Sequence, residues 1–243
     1  MLLYYIRHGD PIYNPDSLTP LGHRQAEAVA HRLSRFGIDR LYASTSTRAI
    51  ETATPTSEIL KKPITTLDFT NESHAWHDFT VHYGEAGKMT WVFSDPAYRR
   101  ILVSPEIASA GDNWYADPRF EPGDAERFRG GIERVNRELD AFLSTLGYEH
   151  DREKHLYRAV KPNDERVALF AHQGFGMIFL SSLLDIPYPY VCTRMDTSHT
   201  GMTVIDFRTD AEGYSIPQIL TLANDSHLYA ENLPTDYNHR IRI

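Results

Sequence analysis

The sequence predicts an α/β fold, a three-layer α/β/α sandwich whose mostly parallel central sheet carries an inserted cap region. Three observations predict it. Over residues 2–69, short apolar runs alternate with segments of helical periodicity, the order expected when helices cross over between parallel strands. Residues 167–184 repeat that unit, an apolar run followed by an apolar helix. Between the two, periodicity breaks, and all three tryptophans (Trp76, Trp91, Trp114) fall in the break.

Residues 2–6 are apolar without alternation, which suits a strand buried on both faces. Thr19-Pro20 opens a helix, with Pro just inside its start. Leu21, Ala26, Val29, Ala30 and Leu33 line one face, and Gly37 stops it. Residues 40–43 form the next strand, a helix follows from about Thr47 to Lys61, and Ile64 to Phe69 is a third strand. Residues 70–123, rich in aromatics, Pro and Gly, read as an insertion over one end of the sheet. Asp124 opens a long helix in which Ala125, Phe128, Ile132, Val135, Leu139, Phe142 and Leu146 recur in steps of three and four. Gly130-Gly131 in its middle should each cost about 1 kcal/mol and has no explanation at this level. A polar connection at 149–165 leads to the strand at 167–171 and a buried helix at 174–184. Two further strands are expected at 202–207 and 217–222, then an extended tail from Tyr229 to Ile243.

With 243 residues and no repeat, low-complexity tract or linker, the chain is expected to be one domain. Its core is expected at about 1–69 and 166–228, its inserted cap at about 70–165 and its C-terminal extension at 229–243. A hydrophobic share of 41% argues against disorder. A net charge of −8 with no long basic run disfavours nucleic acid and anionic membranes as partners. No run reaches the roughly 20 apolar residues that span a bilayer. Leu2–Ile6 is too short for a secretory segment. The single cysteine, Cys192, cannot form an intrachain disulfide, so a cytoplasmic location is expected.

Arg7-His8-Gly9 follows the first strand directly, at its carboxyl end, where ligands of open α/β sheets bind. His172 closes another buried strand on the same edge, and Arg48 opens the helix after the second strand. Two histidines, two arginines and nearby helix N-termini make a dianion site. Arg48 at a helix start runs against the helix dipole, a cost that a bound anion would offset.

Arg7-His8-Gly9 with Asn14 resembles the RHGxxxxN signature of the histidine phosphatase superfamily, in its phosphoglycerate-mutase-like branch (branch 1). Leu18–Ala26 is similar to that family's LTxxGxxQA segment, and Ser44–Ala53 to SxxxRAxxTA. Ala171-His172-Gln173-Gly174 is similar to its second histidine motif, and Asn224–Leu228 to a segment near its C-terminal end. The motifs occur in family order over residues 2–70 and 166–228.

The resemblance implies a metal-independent phosphomonoesterase with no cofactor. His8 would attack phosphorus and become phosphohistidine. Arg7, Arg48 and His172 would offset charge on the transferred group, while Asn14 and the backbone N–H of Gln173 would contact phosphate oxygens. A carboxyl group would protonate the leaving oxygen and later activate water. Glu72, just past the third strand, fits that place, with Asp10, Asp78 and Glu85 as competitors. The implied partner is a small phosphorylated substrate or inorganic phosphate. The tail after Tyr229 leaves a homodimer open.

Two other functions are weighed. A phosphoglycerate-type mutase of this branch carries its glutamate in Glu-Arg-x-Tyr-Gly, whereas Tyr83-Gly84 here follows Thr80-Val81-His82. A phosphate-binding module without turnover would be expected to lack Arg7, His8, Arg48 or His172, and all four are present. Other residues have plainer readings. His74, His77 and His82 match no common zinc spacing. His199 precedes a strand and either faces the pocket or is a loop histidine, and His227 reads as structural. The tryptophans either line a pocket or form the insertion's core. Arg99-Arg100 either reaches a substrate carboxylate or lies on a solvated helix face.

Overall fold

The computed structural model describes residues 1–83 and 87–237. The first strand, β1 (Leu2–Arg7), is followed by a small hairpin, β2 (Pro11–Tyr13) and β3 (Asp16–Leu18), turned at Asn14-Pro15 through a cis peptide bond. Helix α1 (Pro20–Phe36) starts where Thr19 caps it, its side chain accepting from Gly22 N, and ends on Gly37 at φ 72°. Strand β4 (Arg40–Ser44), helix α2 (Thr47–Leu60) and strand β5 (Ile64–Leu67) complete the first half of the sheet.

The segment that follows folds as helix α3 (Glu72–Phe79), the hairpin of β6 (Thr80–Tyr83) and β7 (Lys88–Trp91), and helices α4 (Pro96–Leu102) and α5 (Pro105–Ala110). The long helix α6 (Pro122–Thr145) then returns the chain. The connection expected to be merely polar contains a hairpin, β8 (Tyr148–Asp151) and β9 (Leu156–Ala159). Its alternation of polar and apolar residues is too short to stand out by period alone. Strand β10 (Arg166–Ala171), helix α7 (Gln173–Leu184) and helix α8 (Tyr188–Arg194) follow. Strands β11 (Met202–Asp206), β12 (Tyr214–Ser215) and β13 (Gln218–Asn224) and helix α9 (Ser226–Ala230) finish the described chain.

Six strands form the central sheet in the order β13-β11-β1-β10-β4-β5. β1, β10, β4 and β5 run parallel, β11 lies antiparallel beside β1, and β13, antiparallel to β11, runs in the direction of β1. The pleat sends alternate side chains of β1 to opposite faces. Leu3 and Tyr5 pack with α6 and α7, whereas Tyr4 and Ile6 pack with Val29 and Leu33 of α1 and Ala53 of α2. This alternation makes the three layers. It also explains the unbroken apolar runs of β1 and β10, which are covered on both sides.

The inserted segment has its own aromatic centre. Trp114 is fully buried against Phe120, Phe128 and Tyr188. Gly131 has a steric reason: a Cβ there would lie 2.6 Å from Asp78 Cβ and 2.9 Å from the Phe79 ring, so glycine lets α6 and α3 approach. Nothing in the structure explains Gly130, which faces open space. Leu228 of α9 and Leu233 beyond it are buried against Ala28 of α1, which fastens the start of the tail. Among the described residues, no helix is long and apolar enough to cross a membrane.

Candidate active site

At the carboxyl ends of β1, β4 and β10 lies a pocket of about 710 Å³ lined by His8, Arg48, Glu72 and Gln173. Tyr13 and Asp16 of the small hairpin, Thr45, Ser46, Thr47, Asn71 and Ser73, and Trp76 and Trp91 complete its wall.

His8 is the fixed point. Its backbone N–H donates to Ala171 O (2.9 Å), tying it to the end of β10. Its ring Nδ1 lies 2.7 Å from Gly9 O. A carbonyl can only accept, so Nδ1 carries the proton and Nε2 keeps its lone pair. Burial holds His8 well below the ordinary imidazole range, and His172, Arg7 and Arg48 push it further down. The ring is therefore neutral and nucleophilic near pH 7. Gly22 completes this support, since a Cβ there would collide with Asp10 O, so α1 can press directly on the loop after His8.

Arg7 and His172 are fully buried and do not line the pocket wall. The His172 ring meets the His8 ring edge-on at 5.2 Å. Its Nε2 lies 2.8 Å from Ser44 Oγ and 3.2 Å from Ser46 Oγ, while Nδ1 has no hydrogen-bond partner among the described residues. Burial, with Arg48 and Arg7 nearby, keeps His172 well below its usual range. Arg7 donates to Thr197 O and, at 2.9 Å, to His199 Nε2. His199 lies in the loop before β11, as expected, and there it is buried against Arg7, 6.1 Å from the His8 ring. Asp225 braces the adjoining loop by accepting from Ser198 Oγ (2.8 Å), and His227 meets Thr200 Oγ1 at 2.9 Å. The terminal motif thus supports the His199–Arg7 pair from behind.

Arg48 lines the pocket and pairs with Asp16 at 2.6 Å. Asp16 also accepts from Thr47 N (2.7 Å), so a carboxylate of the chain itself already offsets the dipole cost of a cation at the start of α2. Sequence reasoning missed Asp16. Its only signal is a carboxylate two residues beyond Asn14, and the hairpin must fold back before it meets α2.

Glu72, at the first turn of α3, accepts from the backbone N–H groups of Gly174 (3.0 Å) and Phe175 (2.9 Å) at the start of α7. Burial raises its carboxyl above the usual range, opposed by those two hydrogen bonds and by Arg48 and Arg7. Gln173 lines the pocket, its side chain held by Asp196.

The other candidates lie elsewhere. Asn14 is exposed at the hairpin turn and does not line the pocket, because the hairpin presents its neighbours Tyr13 and Asp16 instead. Asp10 accepts from Thr19 Oγ1 (2.6 Å), and Asp78 is paired with Arg134 at 2.8 Å. Neither lines the pocket. Glu85 lies outside the described residues. His74, His77 and His82 diverge, to Asp68, Asp78 and Gly87 O respectively. Arg99 donates to Thr193 O (2.7 Å) in a neighbouring cleft of about 510 Å³, separated from the pocket by Trp91 and Gln173.

Residues 3–87 match the family model described as the histidine phosphatase superfamily (branch 1). No curated protein sequence matches the chain significantly. Solved structures do match it. A phosphoserine phosphatase of Entamoeba histolytica bound to 3-phosphoglyceric acid aligns at 20% identity and TM-score 0.58, over 93% of this chain and 98% of that one. A putative alpha-ribazole-5'-phosphate phosphatase of Escherichia coli K-12 aligns at 20% identity and TM-score 0.56, over 93% and 98%. A mycobacterial glucosyl-3-phosphoglycerate phosphatase aligns at 19% identity and TM-score 0.54, over 90% and 97%. At such identities the likeness is one of fold. Residues 3–87 are thus similar to the histidine phosphatase superfamily, branch 1, and over nine-tenths of its length the chain shares the fold of these solved phosphatases.

Proposed function

We propose that this protein is a metal-independent phosphomonoesterase that hydrolyses a small phosphorylated substrate through a phosphohistidine on His8. The observation that carries the proposal is the pairing, in one pocket, of a neutral His8 whose Nδ1–H is bound to Gly9 O with a Glu72 carboxyl raised by burial.

In the first step the His8 Nε2 lone pair attacks phosphorus, and the bond from phosphorus to the leaving oxygen breaks. Glu72, protonated, gives its proton to that oxygen as an alcohol departs. Arg48 and Arg7 offset the phosphoryl charge, and a His172 carrying its proton on the unpartnered Nδ1 would add a further donor. In the second step the Glu72 carboxylate takes a proton from water. The resulting nucleophile attacks phosphorus, breaks the P–N bond and restores neutral His8. Arginines carry the electrostatic work, so the reaction needs neither metal ion nor cofactor. A cytoplasmic setting, inferred from cysteine usage, belongs to the same proposal.

Hydrolysis of para-nitrophenyl phosphate in EDTA, compared between wild type and His8→Ala, tests it. Release by wild type and none by the variant supports the proposal. Release that requires added metal, or that survives in His8→Ala, contradicts it. Phosphoryl transfer between phosphoglycerates in place of release would point to a mutase.

A further inference from the structure

Resting on that reading, we infer that the substrate's leaving group carries a planar apolar or aromatic ring and no second anionic group, and that Trp76 and Trp91 select it. The pocket's shape and charge both point this way. Trp76 and Trp91 stand at 86° to one another with centroids 5.1 Å apart, and both line the cavity that holds His8. Beside a right-angled pair an incoming ring can stack on one indole while directing its own edge at the face of the other, the two arrangements aromatic rings prefer.

The pair is built, not fortuitous. Trp91 stacks on Phe93 at 5.5 Å and lies against the first turn of α7 at Gly174. It therefore needs little ordering when a ligand arrives. Trp76, by contrast, is 40% exposed, and its ring lines the cavity wall. Tyr13, 62% exposed and beneath the Arg48 guanidinium at 5.4 Å, extends the aromatic rim on the hairpin side.

Charge makes the second half of the argument. Arg48 is the single arginine or lysine among the described residues lining this pocket, and the phosphoryl group needs it. The wall's other ionisable groups facing the substrate bring no further positive charge from arginine or lysine: Asp16 is already paired with Arg48, and Glu72 gives its proton to the leaving oxygen. A leaving group with its own carboxylate or phosphate would find no arginine or lysine among the described lining residues left to pair with it. Arg99 and Arg194 lie in the neighbouring cleft, beyond Trp91 and Gln173.

Three phosphate monoesters test the inference: 2-phenylethyl phosphate, n-butyl phosphate, and the phenylethyl ester bearing a para-carboxylate. The two plain esters release alcohols of similar acidity, so kcat/KM compares recognition more than chemistry. The expected result is a preference of about tenfold or more for the phenylethyl ester. That preference shrinks toward one in Trp76→Ala, and the carboxylate ester is the poorest ring substrate. Trp76 is exposed enough that its truncation should leave thermal unfolding unchanged, and Trp91→Leu provides a second variant. Wild type that hydrolyses the esters with no ring preference overturns the inference alone, as does a faster carboxylate ester. A preference that persists in both tryptophan variants also overturns it. Wild type that hydrolyses none of the three and no para-nitrophenyl phosphate overturns the phosphatase reading, and the inference with it.

Discussion

Replacing Gly174 by Ala tests whether the start of α7 holds the general acid in place. A Cβ at this position would collide with the Trp91 ring and lie 2.8 Å from Glu72 Oε1. Neither neighbour can give way cheaply. The indole is wedged between Phe93 and Trp76, and the carboxylate is tied to the N–H groups of Gly174 and Phe175. Overpacking of this kind costs about 1–3 kcal/mol. Alanine recovers about 1 kcal/mol of helix propensity over glycine, so the net loss of stability should be at most about 2 kcal/mol. The effect on turnover should be larger, because displacing a catalytic group by about 1 Å costs on the order of 100-fold. Urea unfolding and kcat for 2-phenylethyl phosphate, whose basic leaving oxygen depends on the acid, measured on the same preparation, separate the two. A folded Gly174→Ala enzyme with wild-type kcat would refute the placement of Glu72.

Other predictions follow from the same geometry. Glu72→Gln should reduce hydrolysis of alkyl phosphates far more than that of para-nitrophenyl phosphate, since a basic leaving oxygen depends on protonation; equal losses across leaving groups would remove Glu72 as the acid. Because burial raises the Glu72 carboxyl, phosphorylation of His8 should slow as pH rises through that raised value, and a pre-steady-state pH profile of wild type against Glu72→Gln reads this. Arg48→Ala should lower kcat/KM by about 100- to 1000-fold, the usual loss for one donor to a developing anion, with folding checked by circular dichroism. His227, with its imidazole lowered to about 4 by burial, binds fewer protons folded than unfolded. Its contribution is thus complete above the unfolded value near 6.5 and lost as pH falls toward the folded one. That linkage should cost about 2 kcal/mol of stability between pH 7 and pH 5, and urea midpoints of His227→Gln should lack that part of the slope.

The parts of this account that were legible in the sequence are those where local order and position coincide. An apolar run fixes β1, so Arg7-His8-Gly9 must fall at its carboxyl end, and the same reasoning holds for β10 and His172. Glu72 could be placed because the resembled family carries its acid just past the third strand, and β5 ends five residues before it. The misses share a physical cause, in that each depends on a contact between segments distant in sequence. Asp16 reaches Arg48 only after the hairpin turns, and that same turn leaves Asn14 outside the pocket. His199 reaches Arg7 because β11 runs antiparallel beside β1 and returns its preceding loop to the site. The three tryptophans look alike in sequence, yet Trp114 packs in the insertion's core while Trp76 and Trp91 face the cavity. Gly131 looks like a flaw in α6 until Phe79 is seen against it.

The most direct test of the central claim is to trap the covalent intermediate. Wild type mixed with ³²P-labelled para-nitrophenyl phosphate, quenched in alkali within milliseconds and digested, should yield one labelled peptide containing residues 7–9. The bond should survive alkali and break in acid, as a phosphoramidate does, and His8→Ala should yield none. An enzyme that turns over substrate without accumulating label under any quench time, or label that persists in His8→Ala, would contradict the account.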